Sequence, residues 1–250
     1  MSLTRRVDLH VAEVVIDRPP VNALDAASWF ELADTLRELG RLPDVHVLIL
    51  AAEGKGFCGG VDIKDLARTG QQGMVDVNRA CYAAFGAVYD CEVPVIAAVQ
   101  GYCLGGGVGL VANADVIIAS RDATFGLPEV DRGALGAATH LSRLVPQHRM
   151  RAMYYTATPA SAEEMHHFGS VLEVVERQDL RAAARRLAEV IAAKDPTVIR
   201  RAKEAINGID PVDVHRSYRF EQGFTFEVAL GGVSAVAHRE FVEGKEVEER

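Results

Sequence analysis

The chain has 250 residues, 49% of them hydrophobic and 25% charged, with a net charge of −8. This is the composition of a soluble globular protein with one sizeable core, and the acidic balance without a basic cluster argues against nucleic acid as a partner. No apolar run reaches the ~18 residues that cross a membrane, the N-terminus lacks a signal-peptide core, and Cys58, Cys81, Cys91 and Cys103 form no CxxC pair or metal-ligand spacing, so the chain reads as cytoplasmic, metal-free and furnished with reduced thiols that fill the core.

Residues 7–17 (VDLHVAEVVID) read as strand, folded as a hairpin. Arg18-Pro19-Pro20 ends it, and 22–24 forms a turn. Asp25 is placed to cap a helix over 26–39, with Trp29, Leu32, Leu36 and Leu39 on one face, and Gly40 to stop it. A buried strand at 45–51 leads into a first glycine stretch, KGFCGGVD, at 55–62. A long amphipathic helix follows at about 72–90. The run VPVIAAV, 93–99, is β-branched and apolar on both faces, as a strand covered on both sides should be. It leads through GYCLGGGVG, 101–109, into an apolar helix, and then to a strand at 116–119. These β–α steps argue for a mostly parallel sheet flanked by helices.

A short strand enters the loop at Glu129. Residues 133–145 and 146–156 read as helices, Ser161 and Glu164 form a capping box, and 171–176 is the last clear strand. From 179 onward the pattern is helical, in segments at about 179–193, 197–207, 212–230 and 234–243. The chain therefore divides into an α/β core, 1–195, and a C-terminal helical region, 196–250, and the helical part from 179 onward is expected to cover an edge or a neighbouring subunit.

Chemistry concentrates in the two glycine stretches and one carboxylate. Glycines at a helix start allow close backbone approach and leave N–H groups directed outward from the positive end of the dipole. If both loops lie at the ends of neighbouring strands, their N–H groups can converge on one oxygen and stabilise it as an oxyanion. A tight turn or close helix packing is the structural alternative, and a dinucleotide fingerprint fits poorly because the spacing is G-G-G-x-G. Glu129 lies between Pro128 and Val130, where partial desolvation would raise its pKa and make it a useful base. A surface glutamate in a turn is the plainer reading. Neither Cys58 nor Cys103 has a sequence neighbour to activate it as a nucleophile.

RPPVNAL, KGFCGGVDIKDL, VIAAVQGYCLGGGVGLVANADVIIAS and ATFGLPEV, in this order and spacing, resemble the crotonase (enoyl-CoA hydratase/isomerase) family over nearly the whole chain. The resemblance implies a spiral of repeated ββα units with a helical C-terminal trimerisation region, acyl-CoA thioester substrates, no cofactor beyond the coenzyme A of the substrate, and a homotrimer or dimer of trimers. It implies oxyanion-hole N–H groups at Val61 and Gly106, and coenzyme A contacts from Lys64 and the backbone around Phe57, Cys58 and Ile63. Hydratases of the family carry two catalytic glutamates. The second maps onto Glu129, whereas the first maps onto Gly109, which has no side chain. One-base chemistry remains: Glu129 moving a proton along an enoyl thioester, or activating water to attack a ketone β to the thioester, with the leaving carbanion held as a thioester enolate.

A narrower pattern, PEVDRGALGAATHLSRLVPQHRMRA, HHFGSVLEVV, AAKDPTVIRRAKEA and SYRFEQGFTFE, is similar to the actinobacterial crotonases that open a ring of a bicyclic steroid remnant by hydrolysis. On that reading Glu129 is the base acting on water, and Asp131 orients the water or Arg132, unless Asp131 and Arg132 form only a local ion pair. His140 reads as a packing residue inside a helix, with a base role as the alternative, and His166-His167 sit at a helix end. Tyr218, Phe220, Phe224 and Phe226 read as packing aromatics, some of them at the acyl pocket. An enoyl-CoA hydratase or isomerase and a non-catalytic acyl-CoA binder are the competing functions. A protease of the related spiral fold lacks a serine in either glycine stretch.

Overall fold

A hairpin opens the chain in the structure, a computed structural model that describes residues 2–232. Strand β1 (Ser2–Asp8) runs antiparallel to β2 (Val11–Asp17), with Ser2 opposite Asp17. The expected turn at 22–24 is in part a strand, β3 (Ala23–Leu24), because it pairs with a segment 37 positions away that no local signal reveals. Helix α1 (Ala26–Arg41) begins where expected: the Asp25 side chain accepts from Ser28 N at 2.8 Å. Gly40 does not stop it. A Cβ at that position would lie 2.6 Å from Cys91 Sγ, so the glycine serves close packing within the last turn.

The next elements are β4 (Val47–Ala52), β5 (Gly60–Val61), α2 (Ile63–Tyr89), β6 (Val95–Val99), β7 (Tyr102–Leu104) and α3 (Gly106–Val111). They repeat one pattern. β2–β3–α1, β4–β5–α2 and β6–β7–α3 each place the first strand in a large sheet, the second in a small one, and then a helix. These are the ββα units of the expected spiral. Helix α2 starts at Ile63 rather than about 72, capped by Asp62, and is broken at Gly70, whose φ of 63° is non-helical.

The remaining strands are β8 (Val116–Ser120), β9 (Thr124–Gly126), β10 (Ala160–Ser161) and β11 (Glu173–Val175). Among the described residues the large sheet has six strands in the order β1-β2-β4-β6-β8-β11, parallel from β2 onward. Its central strands are buried on both faces, and alternation divides the faces cleanly. Leu48, Leu50 and Ala52 belong to the core shared with α1 and α2. Val47, Ile49 and Ala51 face the other way, against Leu180, Ala183, Ala184 and Ala188. Helices α4 (Ala138–Leu141), α5 (Gln147–Thr156), α6 (Ala162–His167), α7 (Leu180–Ala192), α8 (Pro196–Gly208) and α9 (Val214–Leu230) complete the described chain. The Ser161 cap of α6 is present, accepting from Glu164 N.

Two expectations are corrected here. Helix α7 covers the second face of the sheet rather than an edge, because its apolar stripe at 180, 183, 184, 187, 188 and 191 has helical spacing and fits that face. Residues 133–145 are not one helix: 133–137 form a loop, with positive φ at Gly133 (62°) and Ala137 (30°). Helix α8 is fastened by buried Lys203, whose Nζ donates to Asp115 Oδ2 at 2.7 Å. Helix α9 lies against α2 and α4. The expected helix at 234–243 lies outside the described residues. No helix among the described residues is long and apolar enough to cross a membrane.

Candidate active site

The two glycine stretches are joined by backbone hydrogen bonds. Phe57 N donates to Tyr102 O at 2.9 Å, and Leu104 N donates to Cys58 O at 2.9 Å. The buried side chain of Asn22 fixes the first stretch from behind, donating to Glu53 O at 2.8 Å and Gly56 O at 3.0 Å. Nothing in the sequence around Asn22 beyond a turn signal marks this role.

This joining brings β5 against the start of α3. Asp62 N donates across the small sheet to Leu24 O at 2.9 Å. N–H groups alternate along a strand, so that of Val61 is directed to the opposite side, where Gly106 opens α3. A Cβ built on Gly60 would lie 3.2 Å from Gly106 N, which measures how closely the segments approach. A Cβ on Gly106 would meet the Trp29 ring at 2.8 Å, so a larger residue could not take its place.

Val61 and Gly106 line one end of a cavity of about 130 Å³, roughly ten times the room a single water needs. Its walls are mostly apolar, with Leu66, Met74, Val77, Phe85, Leu135 and Tyr218. Glu129 enters from the 3₁₀ turn Pro128–Arg132 that follows β9. Its carboxyl group occupies a slot between two glycines: a Cβ on Gly105 would lie 2.4 Å from Oε1, and one on Gly136 would lie 2.4 Å from Cδ. Gly105 also has φ +55°, which disfavours any side chain.

Oε2 of Glu129 has no exposed surface and no hydrogen-bond partner among the described groups. Burial pushes the Glu129 carboxyl from its ordinary 4.5 up to about 7; its own backbone N–H opposes the rise and the negative charge of Glu221 adds to it. Glu221 arrives from α9, and its two oxygens accept from Ala138 N at 2.8 Å and Thr139 N at 2.9 Å. It therefore caps α4, whose own first residue supplies no side-chain cap. Tyr154 accepts from Gly136 N at 3.2 Å and holds the same loop. Neither Glu221 nor Tyr154 could be found in the sequence, because their partners are 82 and 18 or more residues away.

Of the expected site residues, the structure thus gathers Glu129, Val61, Gly106 and Ile63 around one cavity, with Arg132 and Tyr218. It does not bring Asp131 there: Asp131 is exposed on the outer side of the 3₁₀ turn. It does not bring Phe57 or Cys58 there either. Both are fully buried, and their backbone groups already bond within the fold. Lys64 is exposed beside the cavity-lining Ile63. Burial pushes the Cys58 thiol up to about 12 and the Cys103 thiol well above its ordinary value, the opposite of what a nucleophile needs.

His140 stands behind Phe85, with ring centroids 5.0 Å apart, and does not line the cavity. Its Nδ1 accepts from Asn113 Nδ2 at 2.9 Å, and burial, then Arg143 and His215, lower its pKa to about 3. It is a neutral packing residue. His166 and His167 are exposed away from the cavity, as are Phe220 and Phe224.

Position 109 carries no side chain. Gly109 is buried, and a Cβ there would lie 2.4 Å from Phe85 Cζ. The space in which a second carboxylate would stand is filled by an aromatic ring.

A spiral of ββα units that holds one desolvated carboxylate against two converging glycine stretches defines a class of enzyme that handles acyl thioesters. The chain belongs to the Enoyl-CoA hydratase/isomerase family, whose profile matches residues 7–223. It is 64% identical to a Rhodococcus jostii (strain RHA1) protein named (7aS)-7a-methyl-1,5-dioxo-2,3,5,6,7,7a-hexahydro-1H-indene-carboxyl-CoA hydrolase, over 93% of this chain and 91% of that one. A Mycobacterium tuberculosis (strain ATCC 25618 / H37Rv) protein of the same name is 60% identical over 92% of this chain and 93% of its own. Among solved structures, an enoyl-CoA hydratase/isomerase from Pseudoalteromonas atlantica T6c superposes with a TM-score of 0.86 at 25% identity, covering 100% of both chains.

Proposed function

We infer that this protein hydrolyses a carbon–carbon bond in the coenzyme A thioester of a bicyclic, dioxo-substituted, steroid-derived ring system. The observation that carries this reading is the single desolvated carboxylate: Glu129 is the only acidic side chain among the described residues lining the cavity, and Phe85 occupies the space at position 109. Two-carboxylate hydration of an alkene has no second group to work with. Hydrolysis beside a ketone needs one base.

In this reaction the thioester oxygen lies between the N–H groups of Val61 and Gly106. Glu129, ionised near neutral pH, takes a proton from water as the oxygen attacks the ring ketone. The bond to the neighbouring ring carbon breaks, and its electron pair delocalises into the thioester as an enolate held by the two N–H groups. The proton on Glu129 then passes to that carbon. The apolar walls fit a fused hydrocarbon ring, and Lys64, exposed beside Ile63, suits a phosphate of coenzyme A. The reaction uses no cofactor beyond the coenzyme A of its substrate. Assembly as a homotrimer or dimer of trimers, and a cytoplasmic location, belong to the same reading. A non-catalytic acyl-CoA binder would have no use for a desolvated base.

Mass spectrometry of two incubations tests the function. One uses crotonyl-CoA, the other a bicyclic dioxo-enoyl-CoA. Water added to the second with loss of a ring, and a silent first, is the expected result. Rapid hydration of crotonyl-CoA with no ring opening would replace this reading with a hydratase.

A further inference from the structure

Water attack on a ring ketone places negative charge at two separate oxygens. One is the thioester enolate, which the Val61 and Gly106 N–H groups face. The other is the former ketone oxygen, first an alkoxide on the tetrahedral carbon and then part of a new carboxylate. That oxygen sits on a different carbon from the thioester oxygen assigned to the Val61 and Gly106 N–H groups, so a donor of its own would stabilise it further.

Glu129 and Arg132 are positions i and i+3 of the 3₁₀ turn Pro128–Arg132. With about three residues per turn, side chains at that spacing eclipse one another. Both line the cavity, whereas Asp131 between them is exposed. Arg132 is the only cationic side chain among the described residues lining the cavity. A guanidinium is a planar fork of donors that matches the two oxygens of a carboxylate or of a hydrated ketone.

The geometry points to Arg132 as a catalytic residue that holds the oxygen of the attacked ketone, stabilises the alkoxide formed on it, and pairs with the carboxylate that results. This rests on the ring-opening reading. The steps balance. Water gives its proton to the Glu129 carboxylate while its oxygen bonds to the ketone carbon. The ketone π pair moves to oxygen and is held by Arg132. The alkoxide re-forms C=O as the ring C–C bond breaks, and the electron pair enters the thioester enolate. Protonated Glu129 returns the proton to the leaving carbon. The new carboxylic acid ionises in front of Arg132.

The test compares the wild type with Arg132→Gln, Arg132→Lys and Arg132→Ala on the bicyclic dioxo-enoyl-CoA, following the ring-opened acid by mass spectrometry. In parallel, calorimetry measures binding of cyclohexene-carboxyl-CoA, a thioester with no ring ketone. The expected result for Arg132→Gln is a kcat lower by about 10² or more, with KM and the affinity for the ketone-free thioester little changed. Arg132→Lys retains more activity than Arg132→Gln, and added guanidinium restores part of the turnover of Arg132→Ala. A wild type that opens the ring and an Arg132→Gln variant that does so at nearly the same kcat would overturn the assignment and leave the ring-opening reading intact. A wild type silent on the dioxo substrate overturns the ring-opening reading, and the assignment falls with it. If Arg132→Gln also loses the ketone-free thioester, guanidinium decides: rescue of Arg132→Ala supports the assignment, and no rescue overturns it.

Discussion

The ring of Phe85 occupies the space that a side chain on Gly109 would need, with only 2.4 Å between Phe85 Cζ and a Cβ built on the glycine. Phe85 is itself fixed, edge-on to Trp29 at a centroid distance of 5.7 Å and against His140 and Tyr218. The missing carboxylate is therefore not an open gap that a substitution would refill. Gly109→Glu is expected to lose stability by about 2 kcal/mol or more, as overpacked cores do, and to gain no ring-opening activity. Thermal unfolding checks this, and Gly109→Glu combined with Phe85→Ala should cost less than the two single changes together, since the residues share one volume. Simple additivity, or faster ring opening by Gly109→Glu, would contradict the steric account.

Glu129 must be ionised to take a proton from water, and burial has moved its pKa to about 7. The pH profile of kcat/KM should therefore rise through a limb near pH 7 rather than near 4.5. Glu129→Gln should keep its fold and its affinity for coenzyme A thioesters while kcat falls by about 10² or more. Near-normal turnover in that variant removes Glu129 from the chemistry.

Stability should respond to the same shift. A carboxyl group whose pKa is raised on folding favours the folded state at low pH, and that advantage is lost as pH rises from 4.5 through about 7. The loss is on the order of 3 kcal/mol and should be absent in Glu129→Gln. His140 acts with the opposite sign. Its pKa is lowered, so its contribution is present above 6.5 and is lost as pH falls toward about 3. The two slopes oppose each other between pH 4.5 and 6.5. Urea unfolding of Glu129→Gln across that window should show stability rising more steeply with pH than in the wild type, and an unchanged slope would contradict the Glu129 shift.

Gly136 lies against the Glu129 carboxyl, and Glu221 braces the helix that begins just after it. Gly136→Ala should displace the base and lower kcat by roughly tenfold or more, with little change in the unfolding temperature. Glu221→Gln removes a negative charge that helps raise the Glu129 pKa, so the limb of the kcat/KM profile should move to lower pH. An unmoved limb would mean that Glu221 acts only as a helix cap.

Parts of this fold were legible because they depend on neighbours in sequence. The Asp25 and Ser161 caps, the two-faced apolar strands at 47–52 and 95–99, and the glycine stretches each carry a local pattern that the structure reproduces. Glu129 was legible too, since the Pro128–Val130 setting and the motif order single it out. Which of Asp131 and Arg132 lines the cavity was not legible: helical spacing of three places Arg132 there beside Glu129, with Asp131 exposed.

By itself the sequence determined that the chain builds ββα steps around a buried parallel sheet, that it carries two glycine stretches and one carboxylate in an apolar setting, and that Gly109 leaves no side chain where a second carboxylate was possible. Periodicity and spacing report how much of an element is buried and which groups lie one turn apart. Only the tertiary structure decided that Phe85 fills the place of the missing side chain, that Gly40 packs on Cys91 instead of ending a helix, and that Ala23–Leu24 is a strand. It also decided that Glu221, 92 residues beyond Glu129, sets the loop and the charge around the base. Those outcomes depend on which distant atoms compete for the same few ångströms, and side chains acquire such neighbours only when the chain closes on itself.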